Sequence, residues 1–553
     1  MTVNKVAFLR VCGMVTTLLA GFFSTNTGLA QSFSEADVDK RQEGVGQFAR
    51  LVIRGGFLID GTGAPPKGPV DIVVGRDRII EVKVVGVPGV PINPKNRPAT
   101  GDYEINAEGK YILPGFIDLH GHVHSLDAGQ NVPPDYIFKL WLAHGITTIR
   151  ELGNDRPVEW MLDLQRRSAA NIISAPRLHV YPRFRANEEY SLDTPQDART
   201  FITKIAQMGV DGVKFFGDPP EVLWAALDEA QKHGLKTTMH HGQLSVTHAN
   251  VLDTSERGLD TMEHWYGLPE AMFTGQKIQH YPAHYIYQNE QDRFREAGRL
   301  WKQAAVSGSQ KWKEVAKLLL DRDFAIVPTM TAYLTSRDFM RMSRATWHAD
   351  YTLPSLWDWF RPTREAHGSY WFYWTTEDET AWKENYHLWM KFLNDFKNSG
   401  GKVGVGSDSG YIYNLYGFGY VQELELLREA GFHPLEVLHS ATLMGAQILG
   451  VDNNVGSVQV GKKADLLIVG ENPVENLKVL FGTGTIRLND VTGETERVGG
   501  IEWTIKDGIV YNAAQLRADV RKMVKAQKNE RGIPEGIMPV ATRDMTRIVE
   551  KEN

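Results

Sequence analysis

Four histidines and one aspartate stand where apolar runs of this 553-residue chain stop, and one lysine stands inside such a run. The densest signal is Pro114-Gly115-Phe116-Ile117-Asp118-Leu119-His120-Gly121-His122. Side chains two apart on a strand share a face, so His120 and His122 converge at the end of that run. Two convergent imidazoles suit a divalent metal. His240 follows Lys236-Thr237-Thr238-Met239, His264 follows Asp260-Thr261-Met262-Glu263, and Asp408 follows Val403-Gly404-Val405-Gly406-Ser407. One such histidine would be read as a cap or a surface residue. Several at the same end of successive strands make a metal centre the better reading.

Lys214, in Gly212-Val213-Lys214-Phe215-Phe216, is the odd member. An ammonium beside a divalent cation is strongly disfavoured. Either Lys214 reaches solvent, or its neutral amine takes up carbon dioxide as a carbamate (N6-carboxylysine) that bridges two metals. Its place between the two histidine pairs favours the second. Asp408 is the candidate proton acceptor, with capping of a following helix as the alternative. His124 shares the parity of His120 and His122, and His241 adjoins His240. With Tyr333, they are candidates for supporting the ligands or touching substrate.

Positioning these residues requires parallel strands. Short apolar runs at 112–119, 147–152, 177–181, 210–216, 236–239, 259–262, 325–329 and 402–406 alternate with helical stretches such as 219–233. That alternation predicts an α/β chain whose centre is a closed (β/α)8 TIM barrel, with functional residues at the strand C-termini. Residues 48–111 and 451–512 are β-rich, and neither set alone can bury a face. Together they predict a β-sandwich module formed by the N- and C-terminal segments. The barrel spans 112–450, including a helix over 434–449, and 513–553 form a basic tail, helical at first.

Two insertions interrupt the barrel, at 265–323 and 331–400, and hold ten of the 14 tryptophans. They follow strands six and seven, so they lie on the functional face. Either the aromatics wall the site, or they form the insertions' own core.

Composition excludes other classes. Hydrophobic residues make up 42% and charged residues 23%, as in globular proteins, and the net charge of −6 gives no basic field for nucleic acid. Residues 1–30, with Lys5 and Arg10 ahead of an apolar run and Gly28-Leu29-Ala30 at its end, read as a signal peptide cleaved before Gln31. A periplasmic or secreted protein with no stable membrane insertion follows, with self-association left open. Cys12, the sole cysteine, falls in that leader, so no thiol serves the mature chain.

Taken with Asp60-Gly61-Thr62-Gly63, Gly145-Ile146-Thr147-Thr148-Ile149-Arg150 and Gly461-Lys462-Lys463-Ala464-Asp465-Leu466, these motifs resemble the amidohydrolase superfamily. The branch is that of imidazolonepropionase-like and exported proline-dipeptidase-like members. The resemblance implies two divalent metals, zinc first among them. One would be held by His120, His122 and Asp408, the other by His240 and His264, with carboxylated Lys214 and a hydroxide between them. It further implies hydrolysis of an amide or peptide-like C–N bond in a small molecule. Ester, lactone or organophosphate hydrolysis is the alternative for the same centre.

Overall fold

The computed structural model describes residues 38–124, 132–153, 156–186, 191–364 and 370–538. The expected signal peptide and the end of the tail lie outside the described residues. Among the described residues eighteen strands are present in chain order. Strands β1 (Leu51–Leu58), β2 (Lys67–Gly75), β3 (Arg78–Val84), β4 (Tyr103–Asn106) and β5 (Tyr111–Pro114) come first. Eight short strands follow: β6 (Phe116–Gly121), β7 (Ile146–Leu152), β8 (Arg177–Tyr181), β9 (Gly212–Phe215), β10 (Lys236–His240), β11 (Thr261–Glu263), β12 (Ala325–Val327) and β13 (Lys402–Val403). The chain ends with β14 (Leu466–Val469), β15 (Thr485–Leu488), β16 (Thr495–Val498), β17 (Ile501–Lys506) and β18 (Ile509–Asn512).

Strands β6 to β13 are all parallel, and helices such as Pro134–Ala143, Pro220–Lys232 and Gln310–Asp321 connect them. Their ladders form two sheets, β6-β7-β8 and β9 through β13, and not one closed ladder. Backbone hydrogen bonds cross both seams. Lys214 N donates to Pro182 O at 2.9 Å and Phe184 N to Lys214 O at 2.8 Å. On the other side Leu119 N donates to Val405 O at 2.9 Å and Asp408 N to His120 O at 2.8 Å.

The terminal segments pair with each other, because β14 lies between β17 and β5. They form one mixed eight-stranded sheet, β18-β17-β14-β5-β1-β2-β3 with β4 beside β1, in place of the expected sandwich. At the β3 edge, Ile79 N bonds Lys462 O at 3.0 Å and Gly461 N bonds Ile79 O at 2.8 Å, and the sheet encloses Ile53, Ile72, Ile112, Leu466 and Ile505.

Three sequence expectations are corrected. The run 112–119 is two strands that break at Gly115, where a Cβ would lie 2.1 Å from Thr147 Oγ1. The half before the break joins the mixed sheet, and the half after it begins the parallel set. The helix over 434–449 contains a π-helical segment at Ser440–Met444, which accommodates one extra residue per turn. Of the run 455–469, only Leu466–Val469 is strand. The tail does begin as a helix, Ala513–Glu530.

Candidate metal centre

His120 is the last residue but one of β6, with His122 just beyond the strand. His240 ends β10, and His264 and Asp408 follow β11 and β13. His264 (φ 62), Thr329 (φ 46) and Asp408 (φ 47) are among the residues at this end of the strands with left-handed backbone. That conformation costs non-glycine residues of order 1–3 kcal/mol, and such costs gather at functional sites. Here it turns the chain sharply at strand ends whose side chains line the cavity.

The side chains converge. One donor atom each from His120, His264 and Asp408 lies within 4.8 Å of the others. His122 Nε2 is 3.1 Å from Asp408 Oδ1, His120 Nε2 is 3.5 Å from the same oxygen, and His264 Nε2 is 3.9 Å from Oδ2. The His240 and His264 rings are 4.7 Å apart. Lys214 lines the same cavity, of about 480 Å³.

Ionisation and tautomers suit a metal. Burial pushes His120 down to about 4 and His264 down to about 3, and holds His240 well below the ordinary imidazole value, so all three are neutral at pH 7. His120 Nδ1 is 2.6 Å from Glu263 Oε2. An ionised carboxylate only accepts, so the proton sits on Nδ1 and the Nε2 lone pair faces Asp408. His264 Nδ1 contacts Thr329 Oγ1, whose proton goes to Pro328 O at 2.8 Å. The hydroxyl therefore accepts from Nδ1, and His264 also presents a free Nε2. Burial raises the Asp408 carboxyl, but His120, His122 and His264 outweigh it and leave Asp408 ionised. Burial lowers the Lys214 amine to about 8, with Glu263 and Asp408 acting on it only through space. An amine so placed has access to its neutral, carbamate-forming state. These residues fit divalent metal.

Sequence reasoning missed the support beneath the ligands. Buried Glu263 accepts from Arg150 Nη2 at 2.6 Å and from Thr238 Oγ1 besides holding His120. Burial raises its carboxyl, yet Arg150, His120 and Lys214 together hold it below the ordinary range. Asp118 accepts from His120 N at 3.0 Å and from Ser407 N at 2.9 Å, tying the first ligand strand to the Asp408 turn. An acid inside an apolar strand is the available signal, because a buried charge must be paired.

Of the three supporting candidates, His124 and Tyr333 line the cavity and His241 does not. His124 Nδ1 meets Tyr416 OH at 2.9 Å, and its buried Nε2 has no partner among the described residues. The Tyr333 ring is 5.5 Å from that of His264, and burial holds its phenol un-ionised. His241 turns away, with Nε2 2.9 Å from Thr254 Oγ1, as alternation along a strand demands. No helix begins at Asp408, since the next starts at Phe418 behind Gly417, which removes the capping alternative. The tryptophans resolve toward the core. Trp265, Trp301, Trp312, Trp382 and Trp389 are fully buried, and none of the 14 lines the cavity. Its aromatic walls are Phe216, Tyr266, Tyr287, Phe294, Tyr333 and Tyr411.

Part of the sequence and the fold are similar to known proteins. Residues 389–498 match the sequence profile of the Amidohydrolase family. The fold matches a Xaa-Pro dipeptidase crystallised with methionine in its active site (TM-score 0.54, 16% identity), over 84% of this chain and 100% of that one. It also matches a bottromycin amidohydrolase (TM-score 0.58, 18% identity), over 88% and 93%. Residues 389–498 thus resemble the Amidohydrolase family, and the fold as a whole is that of these solved structures. Its amidohydrolase profile segment contains Asp408 but none of the four histidines, whose assignment rests on their geometry. An adenine deaminase of Geobacillus kaustophilus is 32% identical over 109 residues, 18% of this chain and 17% of that protein. A dihydroorotase of Caldanaerobacter subterraneus subsp. tengcongensis is 31% identical over 108 residues, 20% and 22%. The amidohydrolase likeness to these curated relatives thus spans about a fifth of their length. Among its described residues no helix is long and apolar enough to cross a membrane.

Proposed function

We propose that this protein is a metal-dependent hydrolase of an amide or peptide-like C–N bond in a small molecule. The observation that carries the reading is the convergence of neutral His120 and His264 with ionised Asp408 inside one cavity. The eight parallel strands are taken as one closed barrel, supported by the hydrogen bonds across both seams. His120, His122 and Asp408 would hold one divalent ion, and His240 and His264 a second, with Lys214 as a bridging N6-carboxylysine. Zinc suits this imidazole and carboxylate set. When bound, the ions polarise the substrate carbonyl and acidify the attacking water.

The chain's own groups complete the chemistry. Asp408 Oδ2, 3.9 Å from His264 Nε2, would take a proton from the attacking water. It then passes the proton to the leaving nitrogen. Tyr333 supplies an un-ionised O–H toward the oxyanion that forms. The aromatic walls exclude water and select apolar substituents. Export with cleavage before Gln31 belongs to the same reading and rests on the pattern of residues 1–30.

The test is a substrate panel on zinc-loaded protein, spanning N-acyl amides, dipeptides, esters, lactones and phosphotriesters, with chelated protein as control. Metal-dependent turnover of amides supports the reading. Turnover confined to esters, lactones or phosphotriesters replaces it with the alternative.

A further inference from the structure

The turn that ends at Tyr333 is capped from an unusual direction. Residues Met330–Tyr333 form one 3-10 turn, and Thr329 stands at its N-terminal cap position. A threonine there is ordinarily extended, and its hydroxyl accepts from the second or third N–H of the helix. Thr329 does neither. Its backbone is left-handed (φ 46), an outlying conformation for a β-branched residue, and its side chain makes no capping bond. The hydroxyl is engaged instead by Pro328 O, to which it donates at 2.8 Å, and by His264 Nδ1, from which it accepts.

The N–H groups that Thr329 leaves open are taken by Glu423, on the distant helix Phe418–Glu429. Glu423 Oε1 accepts from Met330 N at 2.9 Å, and Oε2 accepts from Thr331 N at 2.8 Å. The side chain is fully buried, and among the described residues no basic group lies within ion-pair distance of it. Burial pushes the carboxyl up to about 8, against the N–H bonds that lower it, so it is mostly protonated at pH 7. The protons then balance. Thr331 Oγ1 lies 3.1 Å from both Glu423 Oε2 and Ser407 O. Its single proton can serve only one of them, and a protonated Glu423 supplies the other. One neutral acid thus ties the turn bearing Thr329 and Tyr333 to Ser407, the neighbour of Asp408.

We propose that Glu423 is a positioning residue of the metal centre. By capping Met330 and Thr331 in place of Thr329, it leaves the Thr329 hydroxyl to fix His264 as the Nδ1-protonated tautomer, with Nε2 open to metal. This rests on the metal-centre reading above. Without both acceptors, Thr331 N is left unpaired in a buried place. Thr329 then returns to the extended cap conformation, its hydroxyl accepts from Thr331 N, and its backbone strain is relieved. His264 Nδ1 loses its acceptor. The imidazole proton can then move to Nε2, where it occupies the lone pair that a metal needs.

The test is a double-mutant cycle of Glu423→Gln and Thr329→Val, read by zinc affinity from chelator competition, with thermal melts alongside. Glutamine still accepts from Met330 N and donates to Thr331 Oγ1, but its amide nitrogen cannot accept from Thr331 N. Thr329→Val removes the hydroxyl at nearly constant shape. Each single substitution should weaken zinc binding by about 10- to 100-fold. Once Thr329 is replaced, Glu423→Gln should weaken it by less than about threefold further. Equal loss in both backgrounds makes Glu423 merely structural and overturns the proposal, as does full zinc affinity in Thr329→Val. Should Glu423→Gln not fold, Glu423→Asp, whose shorter arm withdraws both acceptors, takes its place in the cycle. The tautomer is read without metal, from the side-chain resonances of protein carrying nitrogen-15-labelled histidine, with His264 identified by their loss in His264→Asn. His264 should carry its proton on Nδ1 in wild type and divide it between the two nitrogens in Glu423→Gln. That change, in a wild type that binds no zinc, would remove the metal reading and keep the role of Glu423. An unchanged tautomer overturns that role and leaves the metal reading standing.

Discussion

Glu263 Oε2 lies 2.6 Å from His120 Nδ1, while its other oxygen accepts from Arg150 at 2.6 Å. The acid immediately before one metal-ligand candidate thus orients another, 143 positions upstream. Its two oxygens couple a ligand tautomer to a buried ion pair.

Glu263→Gln should therefore affect both stability and the site. Leaving Arg150 buried without its charge partner costs about 3 kcal/mol or more. Losing the orienting carboxylate weakens metal binding by about 10- to 100-fold. Thermal melts and metal titration would read these separately. The sign of the pH effect follows from the depressed carboxyl of Glu263. Its stabilisation is complete above its unfolded value, near about 4.3, and is lost as pH falls toward the folded value. The stability gap between wild type and Glu263→Gln should narrow below about pH 4, and a constant gap down to acid unfolding would contradict this.

Lys214→Ala should lose most bound metal and activity, because an apolar side chain can neither bridge nor balance two cations. Short carboxylic acids such as acetate should restore part of both by occupying the bridging place. Elemental analysis of fully active wild type should give two metals per chain. One metal per chain, retained in Lys214→Ala, would make the lysine a structural residue.

Asp408→Asn should lower kcat by at least about 10²-fold. Asparagine tolerates the left-handed backbone at this position, so the turn is kept while the charge and the proton acceptor are lost. KM should change much less. Normal turnover at full metal occupancy would remove Asp408 from the chemistry.

The tryptophans and the cavity aromatics should separate in experiment. Trp389 packs against Trp265, Tyr333 and Tyr386 in the core, and Trp389→Ala should destabilise by about 3–5 kcal/mol. Tyr287→Ala, at the cavity wall, should instead alter relative kcat/KM among substrates with little change in melting temperature. A stable Trp389→Ala with altered substrate preference would return the tryptophans to the site.

Protein recovered from its native host should begin at Gln31, outside the cytoplasm. Mass spectrometry that finds residues 1–30 intact would refute cleavage.

The convergence of the candidate histidines and Asp408 was legible because strand alternation is local. His-x-His after an apolar run, and single ligands at later strand ends, follow from the two-residue period of a strand and the shared direction of parallel strands. The pairing of the two β-rich ends was equally legible, since neither end could bury a face alone. Local pattern could not decide which of two good solutions the aromatics take. Whether Trp371 meets substrate or core depends on how helices such as Thr376–Asn398 pack over the insertions, and those are contacts between residues distant in sequence. Nor could it show that Glu263 reaches His120, that Arg183 lies against Phe216, or that the terminal strands join in one mixed sheet. Each depends on the distance between separate strands, which the chain acquires only when its tertiary hydrogen bonds close.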